Sequence, residues 1–247
     1  MNGIVCAPPA EVGPLAASHV GSALGEAIAR RGRAVLALPG GSAIDAVAGP
    51  LASAAVDWSR LWLLWVDERA VGPDDNDSNY RRALPLIAGT TIPVDHVLRP
   101  PGEGRPLRRA AERYAAQVDS LIARGPIDVA LLGVGADGHV ASLFPGHRSL
   151  EVTDRTVVAV HDAPKPPRER LTLTLPVLAS AGLVVVVAMG EEKASALRSA
   201  LEARRRARND PRTAPTDTGG LPIARVLARA PRVVVVVDDA LGGAIGG

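Results

Sequence analysis

The sequence predicts an α/β fold, a three-layer αβα arrangement around a mostly parallel, Rossmann-like open sheet with a small additional β element. Short apolar runs recur along the chain and mostly alternate with amphipathic helical segments. The runs are continuous, which is typical of strands buried on both faces of a parallel sheet. With 247 residues, 47% of them hydrophobic, the chain is long enough to bury such a sheet as a single domain over residues 1–247.

The predicted elements follow in order from the N-terminus. Apolar side chains at every fourth position over residues 12–31 predict an amphipathic helix, and AVLAL (34–38) predicts the first strand. Ser42 follows the turn after this strand, and we expect it to cap a second helix. The remaining predicted elements are strands at 61–66, 129–134, 157–160, 183–189 and 233–237, and helices at 80–87 and 105–124.

Two segments depart from the main pattern. LTLTL (171–175) alternates apolar and polar residues, which predicts an edge strand or a small antiparallel insert. Residues 204–220 mix arginine, proline and glycine, so we expect a mobile loop whose arginines form a solvated helix end. The sequence contains no internal repeat and no change of composition that would mark a second domain.

Composition argues against several classes of function. The net charge is only +2, and three Trp, two Tyr and one Phe leave little for base stacking or a membrane-interface belt. Cys6 is alone, and no His, Cys and carboxylate cluster has zinc-ligand spacing, so we expect no disulfide, no metal and no cofactor. No apolar run approaches the length of a membrane span, and the N-terminus lacks a secretory pattern. We therefore expect a cytoplasmic protein.

Polar clusters follow four of the predicted strands. Ligands of open parallel sheets bind beyond the carboxyl ends of the strands, so we expect these clusters to meet at one edge. They are Gly40-Gly41-Ser42, Asp67-Glu68-Arg69, residues 133–139 and Lys193.

Three of these features suit an anion, and each has a plainer alternative. Gly40 to Ser42 join a strand to a helix start, where free N–H groups and the helix dipole favour phosphate, although a plain tight turn also fits. Lys193 stands near the start of the next helix, where a cation opposes the dipole, which favours a ligand contact over a solvated lysine. Arg170 follows a proline-rich segment that could hold its guanidinium for a phosphate or carboxylate; an ion pair with Glu169 is the alternative.

Residues 128–146 carry the candidate reaction chemistry. A strand ends at glycines and then presents Asp137 and His139, and histidine is the side chain best suited to proton transfer near pH 7. The glycines also match the dinucleotide-binding spacing G-x-G-x-x-G. We reject that interpretation because Pro145 ends the segment early and no acidic residue closes the next strand before Asp162. No G-x-S-x-G serine elbow occurs either.

These residues resemble the 6-phosphogluconolactonase family, within a group that includes glucosamine-6-phosphate deaminase and ribose-5-phosphate isomerase. The chain departs from the usual family pattern at Ala43-Ile44, where Thr-Pro is usual, and at Ala136 and Ala163, where Pro and Ser are frequent. The motifs that carry the resemblance are PGGS (39–42), WVDERAV (65–71) with Ser78-Asn79, LLGVGADGHVASLFPG (131–146), PKPP…RLTLT (164–174) and MGEEKA (189–194).

The resemblance implies hydrolysis of 6-phospho-D-glucono-1,5-lactone to 6-phosphogluconate, the second step of the pentose phosphate pathway. In our hypothesis His139 is the general base for water and then the acid for the ring oxygen. Asp137 or Asp67 would orient the imidazole, and Arg69 or backbone N–H groups of the glycine loop would stabilise the oxyanion. Substrate or phosphate binding is assigned to Gly40, Gly41, Ser42, Asn79, Gly135, Gly138, Arg170 and Lys193.

Two alternatives stay open. One is an aldose–ketose isomerase or amino-sugar deaminase on the same fold. The other is a non-catalytic sugar-phosphate sensor. Such a sensor would carry a DNA-binding helix-turn-helix ahead of the sensor domain. We expect none here, because the first predicted helix runs almost directly into the first strand. The expected partner is a small phosphosugar lactone, with no nucleic acid and no membrane, and we expect a monomer or weak homodimer.

Overall fold

The structure, a computed structural model, describes residues 3–210 and 220–246. Its strands are β1 (Gly3–Ala7), β2 (Ala34–Leu38), β3 (Leu61–Trp65), β4 (Asp67–Arg69), β5 (Val97–Leu98), β6 (Val129–Gly133), β7 (Val157–Val160), β8 (Arg170–Leu173), β9 (Leu183–Ala188) and β10 (Val233–Asp238). Its helices are α1 (Pro9–Arg31), α2 (Gly41–Ala52), α3 (Asn79–Arg82), α4 (Leu84–Ala88), α5 (Leu107–Ile122), α6 (Leu175–Ala179), α7 (Ala194–Asn209), α8 (Pro222–Arg229) and α9 (Asp239–Gly246).

The main sheet confirms the predicted three-layer architecture. Within the described ranges, seven strands pair in the order β1-β10-β9-β6-β2-β3-β5, and every pairing is parallel. Successive side chains of a strand point to opposite faces, so Val35 and Ala37 enter one core cluster while Leu36 and Leu38 enter the other. Helices α1 and α2 supply the second cluster, whereas α5, α7 and α8 supply the first. Burial on both faces explains why the strand sequences are continuously apolar.

The strand order reverses between β2 and β6. From β2 the chain continues outward through β3 and β5, and from β6 it continues the opposite way through β9 and β10. The carboxyl ends of these two central neighbours therefore open a crevice at the topological switch point, where open α/β sheets bind ligands.

A second, antiparallel sheet of order β4-β8-β7 stands beyond the main one. It confirms the antiparallel alternative for LTLTL, and it corrects the assignment of residues 157–160, which lie here and not in the parallel sheet. The chain passes between the sheets at Val66, whose N–H donates to Leu38 O at 2.8 Å while its carbonyl accepts from Leu173 N at 2.8 Å. This transfer brings Asp67 and Arg69 beside the crevice.

Two local predictions were wrong. Ser42 does not cap α2, because Gly40 is the N-cap residue and no side-chain cap bond forms. The loop predicted over 204–220 is helical as far as Asn209, and residues 211–219 of it lie outside the described residues. Arg204 is buried and donates to Leu227 O at 2.6 Å and Ala230 O at 2.7 Å, so it is not part of a solvated helix end.

Candidate active site

A cavity of about 200 Å³ occupies the crevice beyond β2 and β6. Its lining includes nine of the predicted site residues: Gly40, Gly41, Ser42, Asp67, Arg69, Gly135, His139, Arg170 and Lys193. The other three predicted residues lie beside the cavity. Asp137 bonds to the imidazole of His139, and Asn79 is buried and bonds to Asp67. Gly138 packs against Leu221.

Asp137, and not Asp67, contacts the imidazole. Asp137 Oδ1 lies 2.5 Å from His139 Nδ1 and also accepts the backbone N–H of His139 at 3.2 Å. Burial opposes ionisation of Asp137, but these bonds from His139 outweigh it and hold the pKa of Asp137 below its usual value. An ionised Asp137 selects the tautomer that carries its proton on Nδ1, which leaves Nε2 as a proton acceptor.

Gly135 leaves the space that this pair occupies. A Cβ at Gly135 would lie 2.1 Å from His139 Nδ1 and 2.6 Å from Asp137 Oδ1. The loop is closed by Gly138 N, which donates to Gly135 O at 2.9 Å, and by Gly135 N, which donates to His139 O at 3.0 Å. Both of these N–H groups are therefore engaged within the loop.

A tight turn follows His139 and carries a residue with unusual backbone geometry. Leu143 N donates to Val140 O at 3.0 Å, and Ala141 within the turn has φ 50°, in the left-handed region that side chains rarely adopt. The turn places Ser142 against Asp67, to which its hydroxyl donates at 2.6 Å.

Asp67 is fixed by neighbours on two elements. Its carboxylate accepts from Ser142 Oγ and, at 3.1 Å, from Asn79 Nδ2, which also donates to Asp67 O at 2.9 Å. Asp67 is 5% exposed and lines the cavity, so it presents a carboxylate of fixed orientation there.

Glu68, for which the sequence predicted no role, holds this part of the site together. Its carboxylate is buried and accepts the backbone N–H groups of Arg69, Asn79 and Tyr80 at 2.7–2.8 Å and the hydroxyl of Ser78 at 3.1 Å. Burial raises the pKa of Glu68, although the three N–H donors oppose the rise. Two sequence motifs contain these supporting residues. Glu68 lies within Asp67-Glu68-Arg69, and Ser142 follows Asp-Gly-His by three residues.

The start of α2 requires both of its glycines. A Cβ on Gly40 would lie 1.8 Å from Asn79 Oδ1, so only glycine fits against this buried amide. Gly41 has φ 65°, which favours glycine although the space around it is open. The first turn of the helix thereby faces the cavity, where its unpaired N–H groups and dipole favour an anion.

Two arginines meet across neighbouring strands. Arg69 of β4 and Arg170 of β8 are direct partners in the antiparallel register. Arg170 donates from Nε to Pro167 O and from Nη2 to Lys165 O, both at 2.9 Å, while Arg69 Nη1 donates to Asp77 O at 2.9 Å and its buried Nε has no partner. Burial lowers the pKa of Arg170, and the charge of Asp67 opposes this. Like charges opposite each other destabilise a sheet, so this pair indicates a place for an anion.

Lys193 lies in a short 3₁₀ turn (Glu191–Lys193) immediately before α7. Its ammonium donates to Met189 O at 2.5 Å and pairs with the carboxylate of Glu192. Among the described residues the cavity is therefore lined by the cations Arg69, Arg170 and Lys193 and the carboxylate Asp67, a balance that suits a dianionic ligand.

Two other kinds of site are absent from the described part of the chain. No group of three or more His, Cys, Asp or Glu side chains within residues 3–210 and 220–246 is arranged to hold a metal ion. In the same part of the chain, no helix combines the length and apolar character that crossing a membrane requires.

The chain is similar to known proteins of one family. A family model described as glucosamine-6-phosphate isomerases/6-phosphogluconolactonase matches residues 8–235. A 6-phosphogluconolactonase of Streptomyces coelicolor is 39% identical over 202 residues, which cover 75% of this chain and 77% of that protein. A probable chloroplastic 6-phosphogluconolactonase of Oryza sativa is 38% identical over 194 residues; the match covers 70% of this chain but only 58% of the rice protein.

The similarity extends to solved structures. The 6-phosphogluconolactonase of Trypanosoma brucei superposes with a TM-score of 0.80 at 27% identity, covering 98% of each chain. The family match over residues 8–235 includes the segments that line the cavity.

Proposed function

The chain belongs to the glucosamine-6-phosphate isomerase/6-phosphogluconolactonase family, and from that premise we propose that it hydrolyses 6-phospho-D-glucono-1,5-lactone to 6-phospho-D-gluconate. The observation that carries the proposal is the His139–Asp137 pair beside a cavity whose lining includes three cationic side chains, those of Arg69, Arg170 and Lys193. A cytoplasmic location and a monomeric or weakly dimeric state are part of the proposal.

His139 acts as the base and then as the acid. With Nδ1–H bonded to the ionised Asp137, Nε2 takes a proton from water as the water oxygen bonds to the lactone carbonyl carbon. The tetrahedral intermediate collapses by breaking the bond from this carbon to the ring oxygen. The imidazolium then returns its proton to that oxygen, which becomes a hydroxyl group. The new carboxylic acid ionises at neutral pH, so each turnover releases one proton.

Arg69 is the better candidate for oxyanion stabilisation. The N–H groups of Gly135 and Gly138 are already engaged within the loop, whereas Arg69 lines the cavity with a buried, unpartnered Nε. A guanidinium near the developing alkoxide lowers the barrier because the charge it stabilises is present only in the transition state.

The phosphate binds to the cationic side chains and the helix start that line the cavity. We assign it to the first turn of α2 at Gly41 and Ser42, to Arg170 and to Lys193, all of which line the same cavity. A phosphate dianion beside Arg170 would also relieve the repulsion between Arg170 and its cross-strand partner Arg69. Asp67, held by Ser142 and Asn79, is then free to accept a hydrogen bond from a sugar hydroxyl.

Proton release from freshly generated lactone tests the proposal. The lactone is made by a glucose-6-phosphate dehydrogenase, which is then removed, and acidification of a weakly buffered solution is followed with and without the protein. We expect acidification well above the spontaneous rate, and a rate equal to the spontaneous one would refute the proposal. Incubation with glucosamine 6-phosphate serves as the comparison, since ammonia release would indicate a deaminase.

A further inference from the structure

Phe144, the only phenylalanine in the chain, lies between two residues of the cavity wall. Its ring centroid is 5.0 Å from that of the His139 ring, at an interplanar angle of 41°. Arg170 Cζ lies over the same phenyl ring, 5.7 Å from its centroid. Phe144 is 4% exposed and is not part of the cavity lining, so it contacts the two site residues without facing the ligand space.

The tight turn after His139 places Phe144 there. The bond from Leu143 N to Val140 O reverses the chain, and the left-handed Ala141 allows the reversal within the turn. Val140 and Leu143 are fully buried in the main core, which anchors both ends of the turn. Phe144 follows directly, so its position relative to His139 is set by core packing.

Phe144 also packs against the small sheet. Phe144, Val160 and Ala163 form a buried cluster of their own. Val160 is the register partner of Arg170 in the β7–β8 ladder, so the ring rests on the strand pair that carries the arginine. Phe144 therefore connects the histidine loop, which extends from the main sheet, to the arginine of the second sheet.

An aromatic ring suits these two neighbours electrostatically. The face of a phenyl ring carries negative partial charge and attracts cations. Arg170 is a buried guanidinium whose Nε and Nη2 are bonded only to neutral carbonyls, and His139 becomes a cation while it holds the proton taken from water. The ring is thus placed to stabilise the permanent cation Arg170, and it adjoins the imidazole that becomes a transient cation.

We infer that Phe144 is a positioning residue that sets the orientation of both the His139 imidazole and the Arg170 guanidinium. The inference rests on the proposed function and goes beyond it, because it assigns a role in both the chemical step and phosphate binding to a residue that does not touch the substrate.

Three variants separate positioning from mere packing. Phe144→Leu removes the ring but keeps an apolar side chain, Phe144→Tyr keeps the ring, and Val160→Ala weakens the same cluster while leaving Phe144 intact. We expect Phe144→Leu to lower kcat and raise KM for the lactone by about tenfold each. Phe144→Tyr should restore most of both parameters, and Val160→Ala should lose thermal stability with kcat and KM within about twofold of wild type. Should Phe144→Leu fail to fold, Phe144→Met supplies a flexible apolar side chain without a ring.

Double-mutant cycles identify the residues through which Phe144 acts. In a His139→Ala background, Phe144→Leu should no longer lower kcat, and in an Arg170→Ala background it should no longer raise KM. Fully additive effects in both cycles, or equal kinetic losses in Phe144→Leu and Val160→Ala, would overturn the inference while leaving the proposed function intact.

Calorimetric binding of 6-phosphogluconate separates the two claims further. If the wild-type protein binds this compound but does not hydrolyse the lactone, the proposed function fails. The Arg170 part of the inference still predicts about tenfold weaker binding in Phe144→Leu than in Val160→Ala. Equal binding by these two variants overturns that part, and a wild-type protein that neither binds nor hydrolyses overturns both claims.

Discussion

Replacing Gly135 with alanine should displace His139, the proposed general base, without disturbing the fold. The added Cβ would lie 2.1 Å from His139 Nδ1 and 2.2 Å from its Cε1, well inside van der Waals contact. Gly135 is not among the residues with positive φ, so alanine is compatible with its backbone conformation. The conflict therefore falls on the side chains of His139 and Asp137.

The expected fall in kcat follows from how far the added Cβ displaces the imidazole of His139. Restoring an ordinary contact of about 3.4 Å requires the imidazole to move by about 1.3 Å. A displacement of about 1 Å in a catalytic group can cost about 100-fold in rate. We therefore expect Gly135→Ala to lower kcat by about 100-fold. KM should change far less, because the three atoms nearest to the added methyl group belong to His139 and Asp137 and not to the proposed phosphate-binding side chains.

Proton-release kinetics and circular dichroism together measure this effect. Gly72→Ala is the matched control, since a Cβ at Gly72 meets nothing within 4 Å and Gly72 has no positive φ. The control should keep wild-type kcat, and both variants should keep the wild-type spectrum. A folded Gly135→Ala protein with wild-type kcat would refute the assignment of His139 as the base.

Three further predictions concern Lys193, Arg204 and Asp137. Lys193→Ala should raise KM for the lactone with little change in kcat, measured by initial rates, because a phosphate anchor contributes to binding more than to chemistry. Arg204→Ala should lower the free energy of unfolding, measured in urea, by about 3 kcal/mol, because the bonds to the carbonyls of Leu227 and Ala230 are lost. The control Arg205→Ala removes an exposed side chain and should change this free energy by less than about 0.5 kcal/mol. The lowered pKa of Asp137 contributes stability that is complete above its unfolded pKa of about 3.9 and is lost as the pH falls through the lower folded value. Asp137→Asn should therefore lose less stability than wild type over that acid range in urea titrations.

The central strands were predictable because burial on both faces leaves a continuous apolar run. β1 was missed because it is a short edge strand with largely exposed side chains, and β5 was missed because it has only two residues. The charged β4 carries no strand pattern at all. Its conformation depends on pairing with β8 and on the buried contacts of Glu68. Both involve residues distant in sequence, so no local sequence pattern indicates them.

The sequence predicted which strand ends form the candidate site, but not which of its side chains contact one another. Parallel strands bring their carboxyl ends to one edge, so the glycine turns, Arg69 and Lys193 could be grouped before any geometry was known. The choice between Asp67 and Asp137 required atomic positions, because only these show that Asp137 bonds to the imidazole of His139 while Asp67 accepts from Ser142. The run of arginines beginning at Arg204 misled the loop assignment because arginine is a good helix former and its head can bind carbonyls at a buried helix end.

The turnover of His139→Ala on freshly generated 6-phosphogluconolactone tests the central claim most directly. Proton release at saturating lactone, corrected for spontaneous hydrolysis, gives kcat, and calorimetric binding of 6-phosphogluconate verifies that the cavity is intact. We predict a fall in kcat of about 100-fold or more with product binding retained. A His139→Ala protein that binds the product and hydrolyses the lactone at the wild-type rate would contradict the account.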